Sequence, residues 1–221
     1  MEVAMYPAQQ LLRTYANSHP NQVDLLNLIK NRRSVRKYRK MKPDLSEIDR
    51  IINCATYAPS AHNAQPWRFF VVSDEEKKTE LIEQMAARFR QDLERDNVPK
   101  AVIRKKVQRS LRLFSGAPVV IIACIDMTGM DKYPDLARQQ AEMIMATQSL
   151  ATAIQNLLLA AKATGLGGCW FCAPLFCPEL VKTVLSLSDC HIPQALITLG
   201  YPGENPPLPP RFRLDEIRFI L

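Results

Sequence analysis

Two short stretches of the 221-residue sequence carry side chains that could bind a charged, flat ligand. The first, Arg32-Arg33-Ser34-x-Arg36, brings three guanidinium groups and a hydroxyl close together. Such groups hold a phosphate through charge-assisted, often bidentate hydrogen bonds. A basic loop that binds nothing would explain this stretch equally well, so a phosphate site is one of two interpretations.

The second stretch runs from Ala58 to Trp67 and contains two prolines and two carboxamides. Pro59 and Pro66 fix φ and remove backbone donors, so the segment between them does not continue the preceding helix. The carboxamides of Asn63 and Gln65 offer both donors and acceptors, which suits the polar edge of a flat heterocycle. A polar helix-to-strand connection without a ligand is the alternative.

The elements that must position these stretches alternate between helices and strands. A helix starting after Asn21 leads into the arginines, and a second helix, with a capping-box spacing from Asp44 to Glu47, leads into the proline turn. Apolar or β-branched runs predict strands, and amphipathic runs predict helices. The pattern predicts one sheet in an α+β or α/β architecture. The strands are expected at 67–72, 119–125, 169–172 and 195–201. The helices are expected at 75–96, 100–114, 135–164 and 179–187.

Composition narrows the class of protein. With 47% hydrophobic residues, the chain fits one large domain or two small ones. The net charge of +7 suits an anionic partner, but no nucleic-acid-binding module is recognisable. No apolar run of about 18 residues predicts a membrane span, and residues 1–21 do not resemble a signal peptide. Six cysteines without a secretion signal indicate reduced thiols, so we expect a cytoplasmic protein.

Cysteines and glycines near residue 170 resemble known motifs only in part. Cys169 and Cys172 are three residues apart on a predicted strand, so their side chains should point to opposite faces, and we expect no metal or disulfide site there. The sequence Gly165-Leu166-Gly167-Gly168 follows a helix, which favours a helix C-cap over a phosphate loop.

Four motifs in order resemble the FMN-dependent nitroreductase family over roughly residues 22–213: the arginine stretch, the proline turn, Gly165-Leu166-Gly167, and Ala195-x-Ile197-x-x-Gly200-Tyr201-Pro202. The resemblance implies one domain over residues 1–221. It would be an α+β three-layer sandwich with a central, mostly antiparallel sheet flanked by helices. It also implies an intertwined homodimer with FMN at the interface. Residues 75–114 would form a lid over the acceptor pocket, and residues 203–221 a tail that reaches the partner, with strand character at its end.

The resemblance also implies which residues contact the flavin. The phosphate, the ribityl chain and the pyrimidine edge would be bound by Arg32, Arg33, Ser34, Arg36, Arg211 and Arg213. The isoalloxazine ring would be reached from the other subunit by Pro59, Ser60, Asn63 and Gln65. Cys172-Ala173 stands where many members have Glu-Gly, so a backbone amide there would meet the reducible nitrogen.

The function implied is ping-pong hydride transfer from NADH or NADPH through FMN to a small oxidised acceptor such as a nitroaromatic or a quinone. No catalytic side chain and no metal are expected. Within the family, residues 75–145 and Cys169-Trp170 most resemble the reductase domain of the deazaflavin-coenzyme glutamyl ligase. A flavin-binding or flavin-consuming protein of the same fold is the other alternative. The proline-rich segment before Arg211 also matches a polyproline ligand for an SH3-like partner.

Overall fold

The computed structural model describes residues 25–221, so the helix cap predicted at Asn21 lies outside the described residues. The chain divides into two compact units, residues 1–32 and residues 33–221. In the first unit, helix α1 spans Leu25–Asn31, and the Arg32 amide continues its hydrogen-bond pattern by donating to the Leu28 carbonyl at 2.9 Å.

The second unit is built on one four-stranded antiparallel sheet. Its strands, in chain order, are β1 (Trp67–Val72), β2 (Val119–Asp126), β3 (Gly167–Phe171) and β4 (His191–Gly200). Their spatial order is β1-β2-β4-β3, and every neighbouring pair is antiparallel. The α+β prediction is confirmed, with β3 ending one residue before Cys172.

The helices of the second unit lie close to the predicted ranges, except the last, which was not predicted. They are α2 (Leu45–Thr56), α3 (Glu75–Arg95), α4 (Lys100–Ser115), α5 (Leu136–Ala163), α6 (Pro178–Leu185) and α7 (Leu214–Ile217). The capping spacing before α2 is realised, because the Asp44 amide donates to Glu47 Oε2 at 3.0 Å. Short 3₁₀ turns occupy Ala61–Asn63, Met127–Gly129 and Ala173–Phe176.

Two apolar cores cover the two faces of the sheet, as strand alternation requires. On one face, α5 and α2 bury side chains against β2 and β4: Ile48, Ile51, Leu150, Ile154, Leu157, Ile121 and Ile197. On the other face, α3 and α6 pack on the alternate residues of the same strands: Leu81, Ile82, Met85, Val181, Ile122 and Leu196. The three layers predicted for the fold are therefore present.

Helix α5 packs against the sheet and contributes many of the side chains of one core. Within the described residues it has the length and mean hydropathy of a bilayer-spanning helix. Its fully buried positions Ala146, Ala153, Ile154 and Ala161 lie instead in the protein core. The helix ends as predicted: Gly165 adopts φ 84°, and the Leu166 amide donates to the Ala161 carbonyl at 2.8 Å, which is a Schellman-type cap.

The end of the chain differs from its predicted secondary structure. Instead of a strand at Ile217–Leu221, the tail forms the single helical turn α7 and then no regular structure. Phe219 and Ile220 are 80% and 84% exposed. Strand character in a sequence becomes a strand only when a sheet edge is available, and within this chain the described tail joins none.

Candidate functional site

The proline turn forms a tight, unusual backbone. His62, Asn63 and Gln65 have φ of 55°, 53° and 46°, the left-handed region that asparagine tolerates better than most residues. The Gln65 amide donates to Ser60 Oγ at 3.1 Å, so the predicted site residue Ser60 closes the turn with its own hydroxyl. The side chains of Asn63 and Gln65 are exposed and available to a ligand.

Hydrogen bonds fix this turn to helix α5. The Ala61 amide donates to Ser149 Oγ at 3.2 Å, and Thr152 Oγ1 donates to the Pro59 carbonyl at 3.2 Å. The turn is thus held on a rigid helix rather than on a mobile loop, which suits a binding element.

The basic stretch is held against the start of β3. Ser34 forms a parallel bridge with Gly168, and the Val35 amide donates to the Gly168 carbonyl at 3.1 Å. Gly167 must be a glycine, because a Cβ there would lie 2.6 Å from Val35 Cγ2. The close approach of these two backbones fixes the positions of Arg33 and Ser34.

Arg36 points back along its own segment. Its guanidinium donates to the Ser34 carbonyl at 3.2 Å, and its amide donates to Glu204 Oε1 at 2.9 Å. Glu204 also lies 4.0 Å from Lys37. These contacts do not test a flavin role for Arg36, and Arg32 is the last residue of the first unit. The flavin roles of Arg32 and Arg36 therefore stay predictions.

Cys172 and Ala173 lie where β3 gives way to a 3₁₀ turn. Cys169 is buried, Cys172 is exposed, and neither forms a disulfide among the described residues. The Cys172 carbonyl accepts from the Leu175 amide at 3.2 Å, which shapes the turn. The structure places these residues at the surface end of β3, the strand that also holds Ser34.

Arg211 and Arg213 lie on the exposed tail, apart from the other site residues along the chain. Arg213 pairs with Asp215 at 2.7 Å, which holds the pKa of that carboxyl below its usual range. Phe212 between the two arginines is 78% exposed. This tail is available to another molecule.

The two best-defined parts of the site sit on different sides of α5. The proline turn is bound to Ser149, whereas a Cβ on Gly168, beside Ser34, would lie 3.0 Å from Leu158. Nine residues separate Ser149 from Leu158, which is about 13 Å along a helix and about half a turn around it. Within one chain, these two parts therefore contact opposite sides of α5, about two and a half turns apart along it.

Two polar contacts near the site, Arg68 with Asp126 and Tyr38 with Thr198, escaped the sequence analysis, because their partners are far apart in sequence. Arg68 pairs with the buried Asp126 at 2.9 Å. Hydrogen bonds from Thr128, together with Arg68 and His191, hold the pKa of Asp126 below its ordinary value. The Tyr38 hydroxyl donates to the Val35 carbonyl at 2.6 Å and lies 2.7 Å from Thr198 Oγ1. Burial raises the pKa of Tyr38, so it remains a neutral donor.

A cavity of about 380 Å³ lies between α3, α4 and the 3₁₀ turn after β3. Its walls are largely apolar and include Met85, Phe89, Phe114, Phe176 and Ala173. Arg88 and Asp92, an ion pair at 3.1 Å, also line it. The cavity thus borders Ala173 and the two helices, α3 and α4, that make up most of residues 75–114.

The chemistry of the donor set fits FMN. Arginines suit a phosphate, and the exposed carboxamides of the turn suit the polar edges of an isoalloxazine. Trp170 Nε1 is buried without a hydrogen-bond partner among residues 25–221. Trp170 is two residues after Gly168 and shares its face of β3, so an unsatisfied donor lies on the strand that holds Ser34. An acceptor atom of a ligand would satisfy it.

Comparison with known proteins gives a consistent result. The model of the nitroreductase family matches residues 29–201. A protein of Methanothermobacter thermautotrophicus, provisionally named an NADH dehydrogenase/NAD(P)H nitroreductase, is 33% identical over 199 residues, covering 89% of this chain and 87% of its own. The iodotyrosine deiodinase of Thermotoga neapolitana is 27% identical over 190 residues, covering 85% and 93%.

A solved structure agrees. The BluB-like flavoprotein of Clostridium difficile 630 superposes with a TM-score of 0.74 at 24% identity, covering 90% of this chain and all of its own, which shows the shared fold. The family match extends over most of the chain and includes the basic stretch, the proline turn and all four strands of the sheet. The chain therefore belongs to the nitroreductase family, and the prediction of an FMN-dependent oxidoreductase is confirmed at the level of that family.

Proposed function

We propose that the protein is a homodimeric FMN-dependent NAD(P)H oxidoreductase acting on a small oxidised acceptor, such as a nitroaromatic or a quinone. The observation that supports this most strongly is the placement of the basic stretch and the proline turn on different sides of α5. A second copy would supply the missing half of each site. The chemistry that bound FMN supplies is two-electron transfer from a reduced nicotinamide to the acceptor, in ping-pong order.

In this proposal the chain's own residues bind and orient. Arg32, Arg33, Ser34 and Arg36 of one subunit hold the phosphate, ribityl chain and pyrimidine edge, with Arg211 and Arg213 from a tail. Positive charge at the pyrimidine edge stabilises negative charge that develops there. From the other subunit come the ring contacts: Pro59, Ser60, Asn63 and Gln65. The backbone at Cys172-Ala173 would lie beside the reducible nitrogen of the flavin.

The tail supports the homodimer as well. Leu208, Phe212, Phe219 and Ile220 expose between 65% and 84% of their surface. Several large apolar side chains exposed on one short segment are expected where that segment packs against another molecule. The tail from residue 203 would cover the partner, as part of a single domain spanning residues 1–221. Because none of the six cysteines, all within the described residues, forms a disulfide, we place the enzyme in the cytoplasm.

A complementation experiment tests the shared site. Arg33→Ala and Asn63→Ala each damage one half of the site in a homodimer. Refolding the two variants together gives mixed dimers, in which one site carries both defects and the other carries none. Tight FMN binding should return at about one site per mixed dimer. If each variant keeps its own reduced affinity in the mixture, the two halves belong to one chain.

The acceptor would bind in the 380 Å³ cavity beside Ala173, with residues 75–114 as its wall. A second acceptor class, halogenated aromatics, is favoured by the similarity to the iodotyrosine deiodinase of T. neapolitana. Reduction in deazaflavin-coenzyme biosynthesis and a flavin-binding or flavin-consuming role are the remaining alternatives.

Anaerobic turnover with a nitroaromatic, a quinone, a halophenol and a deazaflavin separates these classes. Hydride transfer from NADH or NADPH to the bound flavin, followed by stopped-flow absorption, would exclude a purely binding role.

A further inference from the structure

A buried carboxylate on α5 lacks a full set of partners. Glu142 is 3% exposed, and its Oε2 is buried without a hydrogen-bond partner among the described residues. The cation one turn earlier, Arg138, already pairs with Asp135 and lies 4.7 Å from the Tyr133 ring centre. An ionised carboxylate is costly to bury unless a cation accompanies it. Glu142 therefore requires a cation that its own helix does not supply.

Two further ligand groups converge on this carboxylate. His62 Nε2 lies 3.9 Å from Glu142 Oε1. With Asp131, each of the three residues offers one donor atom, and all of these atoms lie within 4.8 Å of one another. They come from the proline turn, the loop after β2, and α5. The loop is tied to α5, because the Tyr133 amide donates to Gln139 Oε1 at 3.1 Å.

We propose that His62, Asp131 and Glu142 bind a divalent transition-metal ion such as Zn²⁺. One imidazole nitrogen and two carboxylate oxygens suit such an ion. Bonds of about 2.0–2.2 Å in a tetrahedron place ligand atoms about 3.4 Å apart, so the 3.9 Å pair must approach by about half an ångström. His62 and Asp131 are exposed, so the ion enters from solvent and keeps at least one water.

The ion would crosslink three elements that are distant in sequence. Because His62 precedes Asn63, bound metal would fix the backbone of the turn that carries the carboxamides. The role is structural and is separate from electron transfer. It therefore does not depend on the proposed acceptor or on the homodimer.

A second cluster provides a matched control. Asp126, Cys190 and His191 also place donor atoms within 4.8 Å of one another. There, however, Arg68 lies 2.9 Å from Asp126 Oδ2, and Thr128 donates to Oδ1 at 2.7 Å. Its carboxylate is already satisfied, so this cluster should not bind the ion.

Calorimetric titration of the chelator-treated, full-length protein with Zn²⁺ tests the proposal. Wild type should bind one ion per chain. Glu142→Gln, His62→Ala and Asp131→Asn should each weaken binding by about tenfold or more, whereas His191→Ala should leave it unchanged. Co²⁺ should give a visible spectrum without a thiolate charge-transfer band. Absence of saturable binding in wild type, or its loss in His191→Ala, would overturn the proposal.

Thermal unfolding separates metal binding from damage to the fold. In chelator, Glu142→Gln should unfold at or above the wild-type temperature, because the amide removes a buried charge without changing the shape of the side chain. Added Zn²⁺ should raise the unfolding temperature of wild type but not of this variant. Equal shifts in both proteins would show that the ion binds elsewhere.

Discussion

The contact between Gly167 and Val35 provides the sharpest test of how the fold positions the basic stretch. In Gly167→Ala, the new Cβ would lie 2.6 Å from Val35 Cγ2 and 2.9 Å from Val35 Cβ. Packed side chains do not approach so closely, so the segment carrying Arg33 and Ser34 must shift. Overpacking of this kind costs about 1–3 kcal/mol of unfolding free energy. The same shift should weaken FMN binding by about tenfold.

Val35→Ala provides the compensating change. Val35 is 6% exposed, and removing its two methyl groups should cost about 1–2 kcal/mol. In the double variant the 2.6 Å overlap with Cγ2 is gone and only the 2.9 Å approach to Cβ remains, so the two costs should be less than additive. We expect a favourable coupling of about 1 kcal/mol or more.

Urea unfolding of the wild type, the two single variants and the double variant measures this coupling, and FMN titration follows the site. Gly165→Ala is the control. Nothing lies within 4 Å of a Cβ there, so its cost of about 1 kcal/mol comes from the backbone φ of 84° alone, and Val35→Ala should not relieve it. Strictly additive costs for Gly167→Ala and Val35→Ala would refute the close-contact explanation.

Three other predictions concern the site and its surroundings. Asn63→Ala and Asn63→Gly should both weaken FMN binding by about five- to tenfold, since both lose a hydrogen-bonding amide; recovery in the glycine variant, measured by fluorescence titration, would indicate backbone strain instead. The pKa of Asp126 is lower in the folded protein than in the unfolded chain, so the unfolded chain takes up the proton first as pH falls. The ionised carboxylate therefore stabilises the fold above about pH 4. This stabilisation is lost as pH falls through the folded-state pKa. Urea unfolding of Asp126→Asn should accordingly depend less on pH below 4, and an unchanged profile would contradict this. Bound FMN should slow alkylation of Cys172 but not of Cys54, which is also exposed, as followed by peptide mass spectrometry, whereas equal protection of both thiols would place the flavin elsewhere.

Local patterns in the sequence were sufficient to predict the four strands and the longer helices, and they singled out the two stretches proposed as the halves of the site. Apolar and β-branched runs located β1, β2 and β4, and the uninterrupted stretch from residue 135 located α5. Pro59 and Pro66 marked the turn, because proline restricts the backbone wherever it occurs. These signals lie within a few residues of one another and act before tertiary packing.

The sequence did not reveal contacts between residues that are far apart along the chain. Nothing in the sequence around Glu142 indicates that His62 lies 3.9 Å away, and Arg68 shows no sign of its pairing with Asp126. The tail was assigned strand character from Ile217, Phe219 and Ile220, yet it forms only a helical turn. Whether such a segment pairs depends on a sheet edge that its own residues cannot specify.

The central claim is that this chain holds FMN and reduces it with a nicotinamide. Its most direct test is the anaerobic absorption spectrum of the purified, full-length protein before and after addition of NADH or NADPH. We predict a flavin spectrum at one FMN per chain, bleaching of its visible band by a nicotinamide, and return of the band with a nitroaromatic or a quinone. A colourless protein that neither binds added FMN nor oxidises either nicotinamide in its presence would contradict the account.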